Sequence, residues 1–224
     1  MQRALWGCGV GWLLLLGCSN SSPPVESEPS DLNAAREYMI AHDLQGRGIR
    51  DSAVLDAMRT VPRQEFVPQD LVGQAYGDHP LPIGAGQTIS QPYIVALMTE
   101  LARPTPESVV LEIGTGSGYQ AAVLAEIVRH VYTIEIIERL ADTARDRLQR
   151  LGYTNITVKA GDGYVGWEEH APFDAILVTA APEHVPQPLL DQLKPGGLLV
   201  IPIGAVDAGQ SLTVFEKKND GTII

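Results

Sequence analysis

Three acidic residues stand at similar intervals through the middle of the chain, each at or near the close of an apolar run. Glu112 lies in Val109-Val110-Leu111-Glu112-Ile113, Glu135 closes Val131-Tyr132-Thr133-Ile134-Glu135, and Asp162 sits in Gly161-Asp162-Gly163, just after Ile156 to Ala160. Directly after the first run come Gly114, Gly116 and Gly118 at alternate positions, then an apolar stretch, Ala121 to Ile127, that reads as a helix. The order describes a strand, a tight turn and a helix start. Glycine lets backbone approach a ligand at φ values other residues avoid, and a helix N-terminus offers N–H groups without intrahelical partners. The natural occupant is a nucleotide-like cofactor. Such units serve many cofactors, so the choice rests on the surrounding residues.

A dinucleotide fingerprint is Gly-x-Gly-x-x-Gly. Counted from Gly114 its last place falls on Tyr119, and counted from Gly116 it falls on Ala121, a tolerable match. The glycines alone therefore leave a nicotinamide cofactor open. Glu112 is different in kind: a carboxylate beside the turn repels a pyrophosphate but suits a cationic cofactor that carries an amino acid. Glu135, about twenty residues on, is placed for ribose hydroxyls. With Asp162 the three acids describe a site for a ribose, an adenine amino group and a positive charge. S-adenosylmethionine fits that description better than NAD. Taken singly, Glu112 or Glu135 also reads as a solvated acid at a strand end; the three together carry the argument.

Other segments are more specific. Leu81-Pro82-Ile83-Gly84-Ala85-Gly86-Gln87-Thr88-Ile89-Ser90-Gln91-Pro92-Tyr93 is a run that general methyltransferases lack. It is joined by Val61-Pro62-Arg63 with Phe66-Val67, by Gly161-Asp162-Gly163, and by Phe173-Asp174-Ala175-Ile176-Leu177-Val178-Thr179-Ala180-Ala181-Pro182. Leu193-Lys194-Pro195-Gly196-Gly197 and Ile201-Pro202-Ile203-Gly204 follow in order. From about Ala34 onward the chain resembles the protein-L-isoaspartate O-methyltransferases of bacterial type.

That resemblance implies an α/β fold, a doubly wound, Rossmann-like class I S-adenosylmethionine-dependent methyltransferase with an N-terminal helical extension. It implies methyl transfer to the α-carboxyl of L-isoaspartyl residues in damaged proteins and peptides. The ester then closes to a succinimide, which reopens partly to normal aspartate. Ser90 matches the family's active-site serine, which orients the substrate carboxylate. Gln87, Thr88, Glu112, Gly114, Gly116, Gly118, Glu135, Asp162 and Gly163 fall at cofactor-binding positions. Glu112 and the glycines would line the methionine and ribose, Glu135 would take the ribose hydroxyls, and Asp162 with Gly163 would meet the adenine. Thr179 to Pro182 form a second wall, and a loop from Ile83 to Ser90 closes over cofactor and peptide. On local sequence alone Ser90, two residues before a helix opened by Pro92, reads as an N-cap; the surrounding match reverses that. Family members usually continue past a point like Asn219-Asp220-Gly221-Thr222 into another strand, whereas this sequence stops at Ile224, so a last sheet element is expected to be missing.

The elements that must position these residues alternate. Helical apolar spacing covers Leu32 to Gln45 and Ser52 to Thr60, the second capped by Asp51. Pro62, Pro68, Pro80 and Pro82 break the next stretch into turns and loops. Pro92 to Ala102 is helical, with proline at a tolerated early position. From Val109 come strand, helix, strand, helix (Glu138 to Leu151), strand (Ile156 to Ala160), strand (Ala175 to Thr179), helix (Pro188 to Leu193), a turn at Lys194-Pro195-Gly196-Gly197, and strands at Leu198 to Pro202 and Leu212 to Glu216. Alternation of this kind places a site at the strand C-terminal ends.

The 224 residues fit one domain, 32–224, with an appendage. A net charge of −11 argues against a nucleic-acid partner, because phosphate neutralisation needs clustered cations. The one basic cluster, Arg139, Arg145, Arg147 and Arg150, alternates with Glu138, Asp142 and Asp146 and reads as a solvated, salt-bridged helix face. His42, His79, His130, His170 and His184 show no ligand spacing, so no metal is expected. Residues 1–18 look like a lipoprotein signal: Arg3, an apolar run from Ala4 to Leu16, then Cys18 as a lipidation site. Residues 19–31, rich in Ser, Pro and Glu, read as a flexible tether. An anchor at Cys18 implies export to the periplasm, whereas the resemblance and the cofactor's supply imply the cytoplasm. The rival readings are another class I methyltransferase, a nicotinamide dehydrogenase and a non-catalytic surface lipoprotein. The oligomeric state has no signal in the sequence.

Overall fold

The computed structural model describes residues 31–180, 184–204 and 211–224. The signal segment 1–18 and the tether up to residue 30 lie outside them, as do Ala181 and Pro182 of the expected second wall. Asp31, assigned to the tether by composition, belongs to the folded part. It caps α1 (Leu32–Tyr38), its carboxylate accepting from the Asn33 N–H at 2.9 Å. The coil continues as a wider π turn over Met39–Leu44 and a 3-10 turn over Gln45–Arg47. Helix α2 (Ser52–Thr60) has the bounds its spacing predicts, and Asp51 accepts from the N–H groups of Ala53 and Val54. A cap of that kind contributes about 1 kcal/mol.

The proline-rich stretch that reads as loop contains two 3-10 turns, Arg63–Phe66 and Gln69–Gln74, and then an antiparallel hairpin. Strands β1 (Leu81–Gly84) and β2 (Gln87–Ile89) turn through Ala85 and Gly86, with Gly84, Ala85 and Gly86 all at positive φ. Pro82 is tolerated because a two-stranded ribbon leaves each strand an edge where no N–H is needed. The expected closing loop is therefore a short ribbon. Helix α3 (Pro92–Leu101) follows.

The remaining chain alternates: β3 (Val109–Ile113), α4 (Tyr119–Ala125), β4 (His130–Glu135), α5 (Glu138–Arg150), β5 (Ile156–Ala160), β6 (Phe173–Val178), α6 (Gln187–Asp191), β7 (Leu193–Ile203) and β8 (Ser211–Glu216). The six strands form one sheet in the order β5-β4-β3-β6-β7-β8, parallel except for β8. Side chains alternate across it. Val110 and Val131 enter the larger core under α2 to α5, while Leu111, Ile113 and Ile134 enter the smaller core with Leu189 of α6. Lys194 to Gly197, read from sequence as a turn between elements, interrupts β7 instead. Phe173 pairs with Leu193 and Ala175 with Leu198, so a step of two residues on β6 faces a step of five on β7, a bulge that leaves the strand continuous. Beyond β8 the chain turns and comes back, and Ile224 exchanges both backbone bonds with Glu216, at 2.9 and 3.1 Å.

Candidate active site

Strand order reverses on either side of β3, because β4 and β5 continue one way and β6 lies on the other. Ligands of open α/β sheets bind at such a point, outside the strand C-termini. A cavity of about 290 Å³ opens there. Gln87, Thr88, Ser90, Glu112, Gly114, Gly116, Glu135, Asp162 and Gly163 all line it, together with Thr179 and Ala180.

The glycine turn is cradled tightly. Gly114 has φ +101, and a Cβ there would lie 2.5 Å from the Thr179 hydroxyl oxygen. That hydroxyl reaches the carbonyls of Ile113 and Gly114 at 2.9 and 2.7 Å and so ties the ends of β3 and β6 together. A Cβ on Gly163 would lie 2.3 Å from Ile113 Cγ2, so the third strand end also closes on β3 only as glycine. Glu135 holds the turn from the other side. One carboxylate oxygen accepts from the Gly116 N–H at 2.8 Å and the other from the Ile137 N–H at 3.0 Å. Each oxygen keeps lone-pair capacity toward the cavity. Asp162 caps a 3-10 turn through the Tyr164 N–H at 2.9 Å. Ile136 and Tyr164 are exposed apolar side chains at the cavity mouth.

Glu112 is fully buried on the face it shares with Val110. Thr133, its partner in the β3–β4 register, donates a hydroxyl proton to Oε2, and the Thr115 hydroxyl lies 2.6 Å from that of Thr133. Oε1 has no partner. Burial pushes the carboxyl up to about 8; the Thr133 bond opposes that shift and the Glu135 charge adds to it. A buried acceptor without a donor, beside a glycine cradle, fits the cationic end of a cofactor.

On the acceptor side Ser90 follows β2. Its carbonyl accepts from Arg63 Nη2 at 2.7 Å. It is not the cap of α3: Gln91 holds that position and makes no side-chain cap bond. The Tyr93 N–H is satisfied from a distance by Asp78 Oδ1 at 2.9 Å. The β1–β2 ribbon leans on the glycine turn, where a Cβ on Gly116 would meet Ile83 Cδ1 at 3.4 Å.

Comparison with known proteins decides the family. The family model described as protein-L-isoaspartate(D-aspartate) O-methyltransferase matches residues 34–224. The chain belongs to this family. A protein-L-isoaspartate O-methyltransferase of Syntrophobacter fumaroxidans is 61% identical over 230 residues, covering 99% of this chain and 92% of its own. One from a Synechococcus strain is 58% identical over 211 residues, covering 90% and 86%. Among solved structures, a protein-L-isoaspartate O-methyltransferase aligns with a TM-score of 0.72 at 32% identity, over 82% of this chain and 60% of that one. A candidate family member from Plasmodium falciparum, crystallised with S-adenosyl-L-homocysteine, aligns with a TM-score of 0.69 at 28% identity, over 84% and 92%.

Within this family member two placements differ from the reading of the motifs. Gly118 does not line the cavity. It starts α4 in the left-handed region at φ +89, and a Cβ there would press on Leu148 Cδ1 at 3.2 Å, so its glycine serves the packing of α4 on α5. Arg147 leaves the solvated face of α5: it is half-buried, donates to the Ser117 carbonyl at 2.8 Å and lies over the Phe66 ring. Desolvation, then the Arg150 charge, lowers its pKa. Arg145 and Asp142 do pair on the exposed face.

Gln120 is a site residue that the motifs do not reveal. Its Nε2 donates to Thr99 Oγ1 at 2.8 Å, and the Thr99 hydroxyl donates onward to the Val95 carbonyl at 2.8 Å. That chain of donors fixes the amide orientation, leaving Oε1 buried, without a partner among the described residues, and at the cavity wall. The one signal in the sequence is a polar residue inside the apolar stretch that begins α4.

Proposed function

We infer that the chain methylates the α-carboxyl of L-isoaspartyl residues in damaged proteins and peptides, with S-adenosylmethionine as donor. The reading is carried by the unpartnered, buried Glu112 Oε1 at the glycine cradle, in the same cavity as Ser90. Methyl transfer needs a site for a cation and a site for an acceptor in one cavity, and the lining of this cavity by both Glu112 and Ser90 supports that reading.

Glu112 and Gln120 would hold the amino-acid end of the donor, and Glu135 its ribose hydroxyls. Asp162 and Gly163 would border the adenine, with Ile136 and Tyr164 at its faces. Bound there, S-adenosylmethionine supplies a methyl group already activated by its sulfonium. The acceptor carboxylate is a competent nucleophile at neutral pH, so no side chain needs to act as a general base. Ser90 would orient that carboxylate through a hydroxyl donor. Positioning and exclusion of water by the β1–β2 ribbon then supply most of the acceleration.

Transfer of labelled methyl to a synthetic isoaspartyl peptide, with the normal aspartyl peptide as control, tests this. Label confined to the isoaspartyl peptide is the expected result. Tight cofactor binding without transfer to it would assign a different acceptor.

A further inference from the structure

Arg63 is the one arginine of the described chain that is wholly buried. Its Nε donates to the Ala75 carbonyl and its Nη2 to the Ser90 carbonyl, both at 2.7 Å. The guanidinium lies 4.7 Å over the ring of Tyr119, the first residue of α4, and Nη1 is buried without a partner among the described residues. Among the described residues no carboxylate lies within ion-pair distance of it. Desolvation lowers its pKa; the Tyr119 hydroxyl opposes that most, and Asp78, the one carboxylate that acts on it among the described residues, opposes it less. That carboxylate is already engaged by Arg47, the Tyr93 N–H and the Gln91 amide.

A guanidinium stays charged in a protein, and a buried charge without a counter-ion is costly. Two neutral carbonyls do not need a cation to satisfy them. The cost is accounted for if the charge acts on something that enters the cavity. Ser90, whose carbonyl Arg63 grips, lines the cavity itself, and so does Tyr119 beneath the guanidinium. Arg63 is thus clasped between the acceptor side and the cofactor side of one site, a few ångströms behind the serine.

We propose that Arg63 is a positioning residue for the acceptor carboxylate, fixing the backbone at Ser90 and making that side of the cavity selective for an anion. This rests on the reading of Ser90 as the residue that orients the carboxylate. Arg63 does not touch the acceptor; its charge acts through the short, water-poor distance behind Ser90, where screening is weak.

The test compares two ligands of the full-length protein saturated with S-adenosyl-L-homocysteine, so that no turnover occurs. One is an L-isoaspartyl peptide with its free α-carboxylate; the other is the same peptide as its α-carboxamide. The readout is the ratio of their dissociation constants. Arg63→Gln is expected to lower the preference for carboxylate roughly tenfold or more, whereas Arg63→Lys, which keeps the charge and loses the fork, keeps most of it. Equal weakening of both peptides in Arg63→Gln, with the ratio unchanged, would mean a packing role only and overturn the proposal. Should Arg63→Gln not fold, judged by S-adenosyl-L-homocysteine binding, Arg63→Met keeps the aliphatic stem and is read by the same ratio. Ser90→Ala is the reference. An unchanged ratio there strikes the reading of Ser90, while a fall there and none in the neutral Arg63 variants strikes the proposal for Arg63 alone.

Discussion

Glu112 and Thr133 face each other across the parallel β3–β4 ladder, and the Thr133 hydroxyl donates to one carboxylate oxygen while the other has no partner among the described residues. Because Thr133 gives its proton to Glu112, Thr115 must give its own to Thr133. The result is a file of hydroxyls that ends on a buried acid. Burial holds that acid at about 8, so near neutral pH it is mostly protonated until a cation arrives.

Cofactor binding should therefore release a proton. A cationic donor beside Glu112 favours the carboxylate, so affinity for S-adenosylmethionine should rise as pH climbs toward about 8 and flatten above it. Calorimetry in two buffers of different ionisation enthalpy reads the proton directly. Glu112→Gln should remove most of the release and weaken binding; full release in that variant would assign the proton to another group.

The free protein should show the opposite slope in stability. The folded pKa is raised from 4.5 to about 8, so the group's stabilising contribution is fully present below about 4.5 and is lost as pH rises through about 8. Between these values the melting temperature of the free protein should fall relative to that of Glu112→Gln. Saturating S-adenosylmethionine should abolish the difference in slope. Parallel melting curves for the two free proteins across that range would mean that Glu112 titrates normally.

Gln120→Leu keeps the size of the side chain and removes an acceptor that nothing else among the described residues uses. A hydrogen bond to a charged group contributes about 1.5–3 kcal/mol, so affinity for S-adenosylmethionine should drop about tenfold or more. Methylthioadenosine, which lacks the amino-acid end, should bind both proteins alike. A loss shared by both ligands would instead mean that the Thr99–Gln120 link props the cavity open.

Much of this architecture was legible because periodicity reports which face of an element is buried. Ser52–Thr60 and Ile156–Ala160 have the predicted bounds, and the glycines and acids at the strand ends share one cavity, with Gly118 displaced into packing. The β1–β2 ribbon was hidden because Pro80, Pro82, Gly84 and Gly86 are all turn formers, and only the tertiary position of the segment makes it a ladder. The Lys194 to Gly197 bulge reads as a turn for the same reason: local residues specify a bend, not whether pairing resumes in the same strand. Arg63, Gln120 and Arg147 lay beyond such reasoning, since a polar side chain aimed inward leaves no periodic trace.

The clasp between β3 and β6 predicts a coupled pair. Gly114→Ala places a methyl 2.5 Å from the Thr179 hydroxyl at a φ that alanine avoids. Cofactor affinity and melting temperature should both fall. Thr179→Ala in the same chain frees the space and should restore part of the loss, leaving the backbone strain of about 1–2 kcal/mol. Strictly additive effects in the double variant would show that the contact does not govern the turn.

Ser90 and Asp78 separate orientation of the acceptor from capping of α3. The Ser90 hydroxyl has no capping duty, because Gln91 is the cap residue and Asp78 satisfies the Tyr93 N–H. Ser90→Ala should therefore leave the melting temperature almost unchanged and S-adenosylmethionine affinity intact. Its kcat/KM for an isoaspartyl peptide should fall about ten- to a hundredfold, the value of one hydrogen bond to a carboxylate. Asp78→Ala should do the reverse in stability, costing about 1–2 kcal/mol as the cap and the Arg47 partner are lost together. Thermal melts and peptide kinetics on the two variants read both effects. A Ser90→Ala protein that melts as early as Asp78→Ala would return Ser90 to the role of a helix cap.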